Sequence, residues 1–213
     1  MISVAARERG PDPKMNPKLR LAIEQARSFR MPKNNIEKAI KRGTGELPSE
    51  RLEEVTFEAY GPGGIAIIVE GITDNKNRTL GEIKQVLNQN GGKLVGEGSV
   101  KWLFERKGAI IIDIKNQKSK IKNEEMELLA IEAGADDIYW HNNLLDIYTK
   151  PEDLEKVKKY LEEKEVIIDS VSLDWVAKDM IEIEEKDKAA CQKLFEALDE
   201  NDAVQDIYSN LKT

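Results

Sequence analysis

One cysteine and one histidine stand among 213 residues, and their scarcity excludes several chemistries. Cys191 has no second thiol in the chain, so no internal disulfide forms, in agreement with a reducing compartment. It falls on an apolar helical face, where a small core residue is expected rather than a nucleophile. His141 sits at an expected hairpin turn; without a second histidine or a cysteine cluster it lacks the partners of a zinc site, and a Ser-His-Asp arrangement would need that turn residue as its base. No apolar run approaches the roughly 20 residues of a membrane helix, and the opening MISVAARERG has no long apolar signal core. The sequon Asn77-Arg78-Thr79 is therefore expected to be accidental. Aromatic residues are 6% of the chain and form no ladder, and no recognition-helix motif accompanies them, so base reading is not visible. GPGG at 61–64 and GGKLVGEG at 91–98 fit neither G-x-G-x-x-G nor G-x-x-x-x-G-K-[ST]; tight turns explain them better than phosphate binding. The chain reads as a cytoplasmic protein with no cofactor, no metal and no catalytic set.

What is present is charge, unevenly spread. The formal net charge is -7, yet residues 1–43 hold 11 Lys+Arg against 4 Asp+Glu, a balance of +7. Residues 44–107 hold 8 against 10, and residues 108–213 hold 14 against 26. Such opposition between the ends points to a polyanion partner for the basic one. Carboxylates along 150–206 read as a solvated face, with a weaker option that they repel nucleic acid and orient the basic arm.

Hydrophobic spacing gives the elements. In NPKLRLAIEQARSFR, Asn16 suits an N-cap, Pro17 the first helical position, and Leu19, Ala22, Ile23 and Ala26 one buried face. A second helix is expected from Pro32, burying Ile36, Ala39 and Ile40 and ending at a left-handed Gly43. The β-branched run GIAIIVEGIT, 64–73, predicts a strand; a helix follows from Asn77 to Asn90 with Leu80, Ile83 and Leu87 inward, then a strand through VKWLF. Beyond it come a strand in AIIID, a helix around Met126, Leu129, Ala130 and Ala133, a hairpin turning at HNN before LLDIYT, a helix with Leu154, Val157 and Leu161 inward, and a strand in VIIDSVSL. DMIEI, a helix carrying Cys191, Leu194, Phe195 and Leu198, and the strand AVQDIY complete the chain. This order predicts an α+β protein: a helical domain over 1–50, then two ferredoxin-like βαββαβ-type domains, one inserted in the other. The outer one is discontinuous, 51–107 with 177–213, and the inserted one covers 108–176.

If the apolar stripes face inward, Arg20, Arg27, Lys38, Lys41 and Arg42 face out. Pairs such as Arg20 with Glu24 and Glu37 with Lys41 could merely join at i, i+4 on the surface, each contributing about 0.2–0.5 kcal/mol. Four acids cannot neutralise eleven cations, however, and the surplus repels itself unless a polyanion offsets it. The expected phosphate-neutralising set is Arg7, Arg9, Lys18, Arg20, Arg27, Arg30, Lys33, Lys38, Lys41 and Arg42. In TDNKNRT, 73–79, Lys76 and Arg78 flank a helix N-terminus and form either a second anion site or simply a stretch capped by Asp74 or Asn77.

The strings VAARERGPDPKMNPKLRLAIEQARSFRMPKNNIEKAIKRGTGE, EAYGPGGIAIIVEGITDNKNRT, GGKLVGEGSVKWLFERKG and IEAGADDI closely resemble the YebC/PmpR family, and the resemblance covers nearly the whole chain. That family includes bacterial probable transcriptional regulators and the mitochondrial translational activator of cytochrome c oxidase. The resemblance implies three domains, no known catalysis, and control of gene expression, through promoter DNA in some members and through the translating ribosome at proline-rich stalls in others. Family members usually begin with a further basic segment resembling MAGHSKWANIKHRK, which is absent ahead of Ile2 here. The expected partners are accordingly DNA or ribosomal RNA, with the ribosome as an alternative and, more remotely, a small ligand sensed by the α+β pair.

Overall fold

A computed structural model describes residues 1–48, 52–117 and 123–212. Three helices open the chain: α1 (Ile2–Arg9), α2 (Pro17–Ser28) and α3 (Lys33–Gly43). Asn16 begins α2 as its sequence suggests, its Oδ1 accepting from Leu19 N–H at 3.0 Å. The stripe Leu19, Ala22, Ile23 and Ala26 is buried. Of these three helices the one not anticipated is α1, whose Ile2, Val4, Ala5 and Ala6 are buried within only eight residues. α1 packs on α3, with Ser3 Oγ donating to Ala39 O at 2.8 Å.

Gly43 is not the left-handed terminator. It is the last residue of α3, and the positive φ (81°) falls on Gly45. A Cβ on Gly43 would lie 2.3 Å from Ser3 O and 2.9 Å from Ala6 Cβ, so the missing side chain is what lets α1 and α3 approach. Of the expected inner residues of α3, Ile36 is buried and Ala39 and Ile40 only half-buried.

The strands are β1 (Glu53–Tyr60), β2 (Ala66–Thr73), β3 (Lys93–Val95), β4 (Phe104–Asp113), β5 (Asp137–His141), β6 (Leu144–Thr149), β7 (Ser170–Ala177) and β8 (Val204–Ser209). The remaining helices are α4 (Lys76–Gln89), α5 (Asn123–Ala133), α6 (Leu154–Glu163) and α7 (Glu185–Asp199). They form two four-stranded sheets, ordered β3-β1-β2-β8 and β5-β6-β4-β7. The second follows the β-α-β-β-α-β path expected of a split βαβ unit. The first also joins four strands with two helices, but it starts with a β1-β2 hairpin, paired from Glu53↔Thr73 to Tyr60↔Ala66, so residues 51–107 run β-β-α-β rather than β-α-β.

β2 shows why a continuous apolar run can be a strand. Ile67 and Val69 join Phe57, Ile83, Leu87, Cys191 and Leu194 on one face, while Ala66 and Ile68 join Val100 and Phe104 on the other. With both faces covered, the polar alternation disappears. Cys191 lies in the first of these cores, burial pushing its thiol pKa upward, and His141 ends β5 beside the turn at Asn142, whose φ is 57°.

Three strand expectations shift. VKWLF is a 3₁₀ turn, Lys101–Leu103, entering β4, because the Glu58 carboxylate accepts the N–H groups of Val100 and Lys101 at 2.7 and 2.9 Å, where a ladder would need them. VIIDSVSL becomes a strand only from Ser170, because Val166 N–H closes the end of α6 on Leu161 O at 3.0 Å. DMIEI contributes a single parallel bridge, Ile181↔Leu211. In α4 the inward residues are Thr79, Ile83 and Leu87, whereas Leu80 is exposed.

The chain divides into two compact units: Met1–Ile23, Met31–Glu105 and Trp175–Thr213 form one, and Glu24–Arg30 with Arg106–Asp174 the other. No helix among the described residues is long and apolar enough to cross a membrane.

Candidate nucleic-acid interface

α3 carries Lys38, Lys41 and Arg42 at i, i+3 and i+4, one exposed face opposite buried Ile36. Arg9 is exposed in the last turn of α1. Arg27 lies in the last turn of α2, and exposed Arg30 follows with φ 57° in the turn beyond it. Arg9, Arg27, Arg30, Lys38 and Lys41 form no ion pair with any described residue.

The other members of the cationic set are engaged. Lys18 bridges Glu8 at 2.8 Å and Glu54 at 2.5 Å. Partial burial works to lower its pKa, but these two carboxylates outweigh it and hold the ammonium above its ordinary range. Arg7 donates to Leu52 O, Lys33 lies 3.8 Å from Glu37, and Arg20 and Arg42 have partners of their own. The anticipated surface pairs change: Glu37 joins Lys33 rather than Lys41, and Glu24 takes Lys158 at 2.6 Å inside the second unit.

At the start of α4 the cap is Asn75, not Asp74 or Asn77; its side chain accepts from Arg78 N–H at 3.1 Å. Asp74 instead binds the Arg78 guanidinium at 2.5 Å, and Glu82 approaches it at 3.6 Å. Arg78 is thus neutralised from both sides, while Lys76 stays exposed with no ion pair to a described residue.

Two exposed aromatics escaped the sequence reading. Phe29 is 79% exposed between Arg27 and Arg30. Trp102, 65% exposed, stands on the turn fixed by Glu58 and donates its indole N–H to Ser99 O at 3.0 Å. Both fit a local hydrophobic spacing, Phe29 at i+3 from Ala26 and Trp102 alternating with Val100 and Phe104, so spacing alone would have placed them inside. Among the described residues, no group of three or more His, Cys, Asp or Glu side chains converges as metal ligands do.

The architecture defines a class: a helical segment with outward cations joined to two four-stranded antiparallel α+β sheets. The family model for the TACO1/YebC N-terminal domain matches residues 1–46, and that for the second and third domains matches 52–211. The chain belongs to the TACO1/YebC family. It is similar to a probable transcriptional regulatory protein of Halothermothrix orenii, 47% identical over 99% of this chain and 83% of that protein. A namesake from Persephonella marina is 45% identical over 99% of this chain and 84% of its own length. The crystal structure of a conserved hypothetical protein from Aquifex aeolicus superposes with a TM-score of 0.91 at 43% identity, covering 99% of this chain and 86% of that one.

Proposed function

We propose that this chain is a non-enzymatic regulator of gene expression, acting in the cytoplasm, whose helical segment binds nucleic acid through phosphate neutralisation. One observation supports this reading above the rest: Arg9, Arg27, Arg30, Lys38 and Lys41 remain unpaired with described carboxylates in a chain that carries 40 Asp and Glu. They lie in a segment, 1–43, that holds 11 Lys+Arg against 4 Asp+Glu, so their mutual repulsion is relieved when a polyanion binds. Arg7, Lys18, Arg20, Lys33, Arg42 and Arg78 add positive potential while held by groups of the chain itself. The naming of relatives as transcriptional regulators favours promoter DNA.

Binding measured across a salt series tests it. Neutralisation of about five phosphates gives a log-log slope near -4.5 on duplex DNA and about -3.5 on single strands. Changing Arg9, Lys38 and Lys41 to Gln flattens the duplex slope by about 0.9 for each residue. A response independent of salt rejects the reading. Co-sedimentation with ribosomes without any sequence-selective DNA shift would move the target from promoter to ribosomal RNA.

A further inference from the structure

We propose that the outer face of α4 is a second docking surface, taking the sugar-phosphate backbone of the same nucleic acid; this inference rests on the function proposed above. Asn77, Gly81, Lys84, Gln85 and Asn88 follow helical spacing along one side of α4, away from buried Thr79, Ile83 and Leu87. A shallow, open depression of about 370 Å³ lies there, lined by Gly81, Lys84, Gln85, Asn88 and Gln89.

Three features point to a polynucleotide backbone. No carboxylate lines the depression, although 34% of the chain is charged and acids predominate. The two acids nearest along the helix are engaged elsewhere, Asp74 with Arg78 and Glu82 with both Arg78 and the Asn201 amide at 3.2 Å. The lining offers a cation and three side-chain amides, groups that donate to phosphate oxygens.

Gly81 is the third feature. It sits mid-helix without positive φ, and a Cβ there would meet no heavy atom within 4 Å. Alanine would fit this chain and favour the helix more. Among the described residues nothing requires glycine at this position, whereas a backbone pressed against the helix does.

The test uses the full chain with random-sequence duplex DNA and ribosomal RNA fragments as probes. Gly81→Ala should raise the melting temperature while weakening binding, opposite signs that a purely structural role would not produce. Gly81→Gln should weaken binding by about tenfold at fixed salt with the slope unchanged, and Lys84→Gln should flatten the duplex slope by about 0.9. Circular dichroism establishes that each variant is folded; should Gly81→Gln unfold, Gly81→Ala and Lys84→Gln decide. Wild-type binding by all three overturns this inference while leaving the helical-segment reading intact. Absence of salt-dependent binding by the wild type overturns both.

Discussion

Asn16 is completely buried although its side chain is polar, and every part of that side chain is used. Its oxygen caps α2, and its amide donates to Ala5 O at 2.8 Å and Gly10 O at 2.9 Å, tying the end of α1 to the start of α2. Asn16→Ala removes the cap and strands two carbonyls, so urea unfolding should report a loss of about 2–4 kcal/mol. Asn16→Asp keeps the acceptor but loses both donors and buries a charge against carbonyl oxygens; it should not rescue stability at neutral pH. Glu58 is a comparable case with an ionised group. Burial works to raise its pKa, but the N–H groups of Gly98, Val100 and Lys101 outweigh it and hold the carboxyl below its ordinary range. A lowered folded pKa contributes stability that is complete above the unfolded value of about 4.3 and disappears as pH falls through the folded one. Glu58→Gln should therefore lower the neutral-pH melting temperature, and the gap from wild type should narrow in acid. The capping role of Asn16 was legible in N-P-K-L, because caps are local. The duties of its amide, and of Glu58, were not, since their partners lie 11 and about 40 residues away.

At the level of elements, length and period decided what could be read. α2, α6 and α7 present two or more turns of apolar spacing and were foreseen with their inner residues. α1 has eight residues, too few for a period to declare itself. β1 reads EEVTFEAY, whose buried set includes Glu58, so its pattern is broken by the acid that fixes the following loop. The cationic site was legible as a compositional surplus, but not the division of its members between paired and unpaired, which depends on where Glu54, Glu82 and Asp74 come to lie. Gly43 offers an element-level test. Gly43→Ala drives a methyl into Ser3 O and should cost about 1–3 kcal/mol in chemical denaturation by separating α1 from α3. Ser3→Ala with it should recover little, because the obstructing atom is a backbone oxygen.

For the molecule as a whole, the long-range pairing of β2 with β8 governs behaviour. Ile67 lies opposite Ser209 and Val69 opposite Ile207, with the inserted unit between them in sequence. Asn210, buried, accepts Ala66 N–H at 2.8 Å through its side chain. Deletion of residues 204–212 should leave the strand AIIV as an unpaired apolar edge. Light scattering should then report aggregation, while the β5-β6 hairpin and its β4 neighbour keep their own pairing. The same nesting fixes a timetable during synthesis. Every strand of the inner sheet has been made before the outer sheet receives β8, so a growing chain carries one complete set of strands and one open seam until β8 emerges.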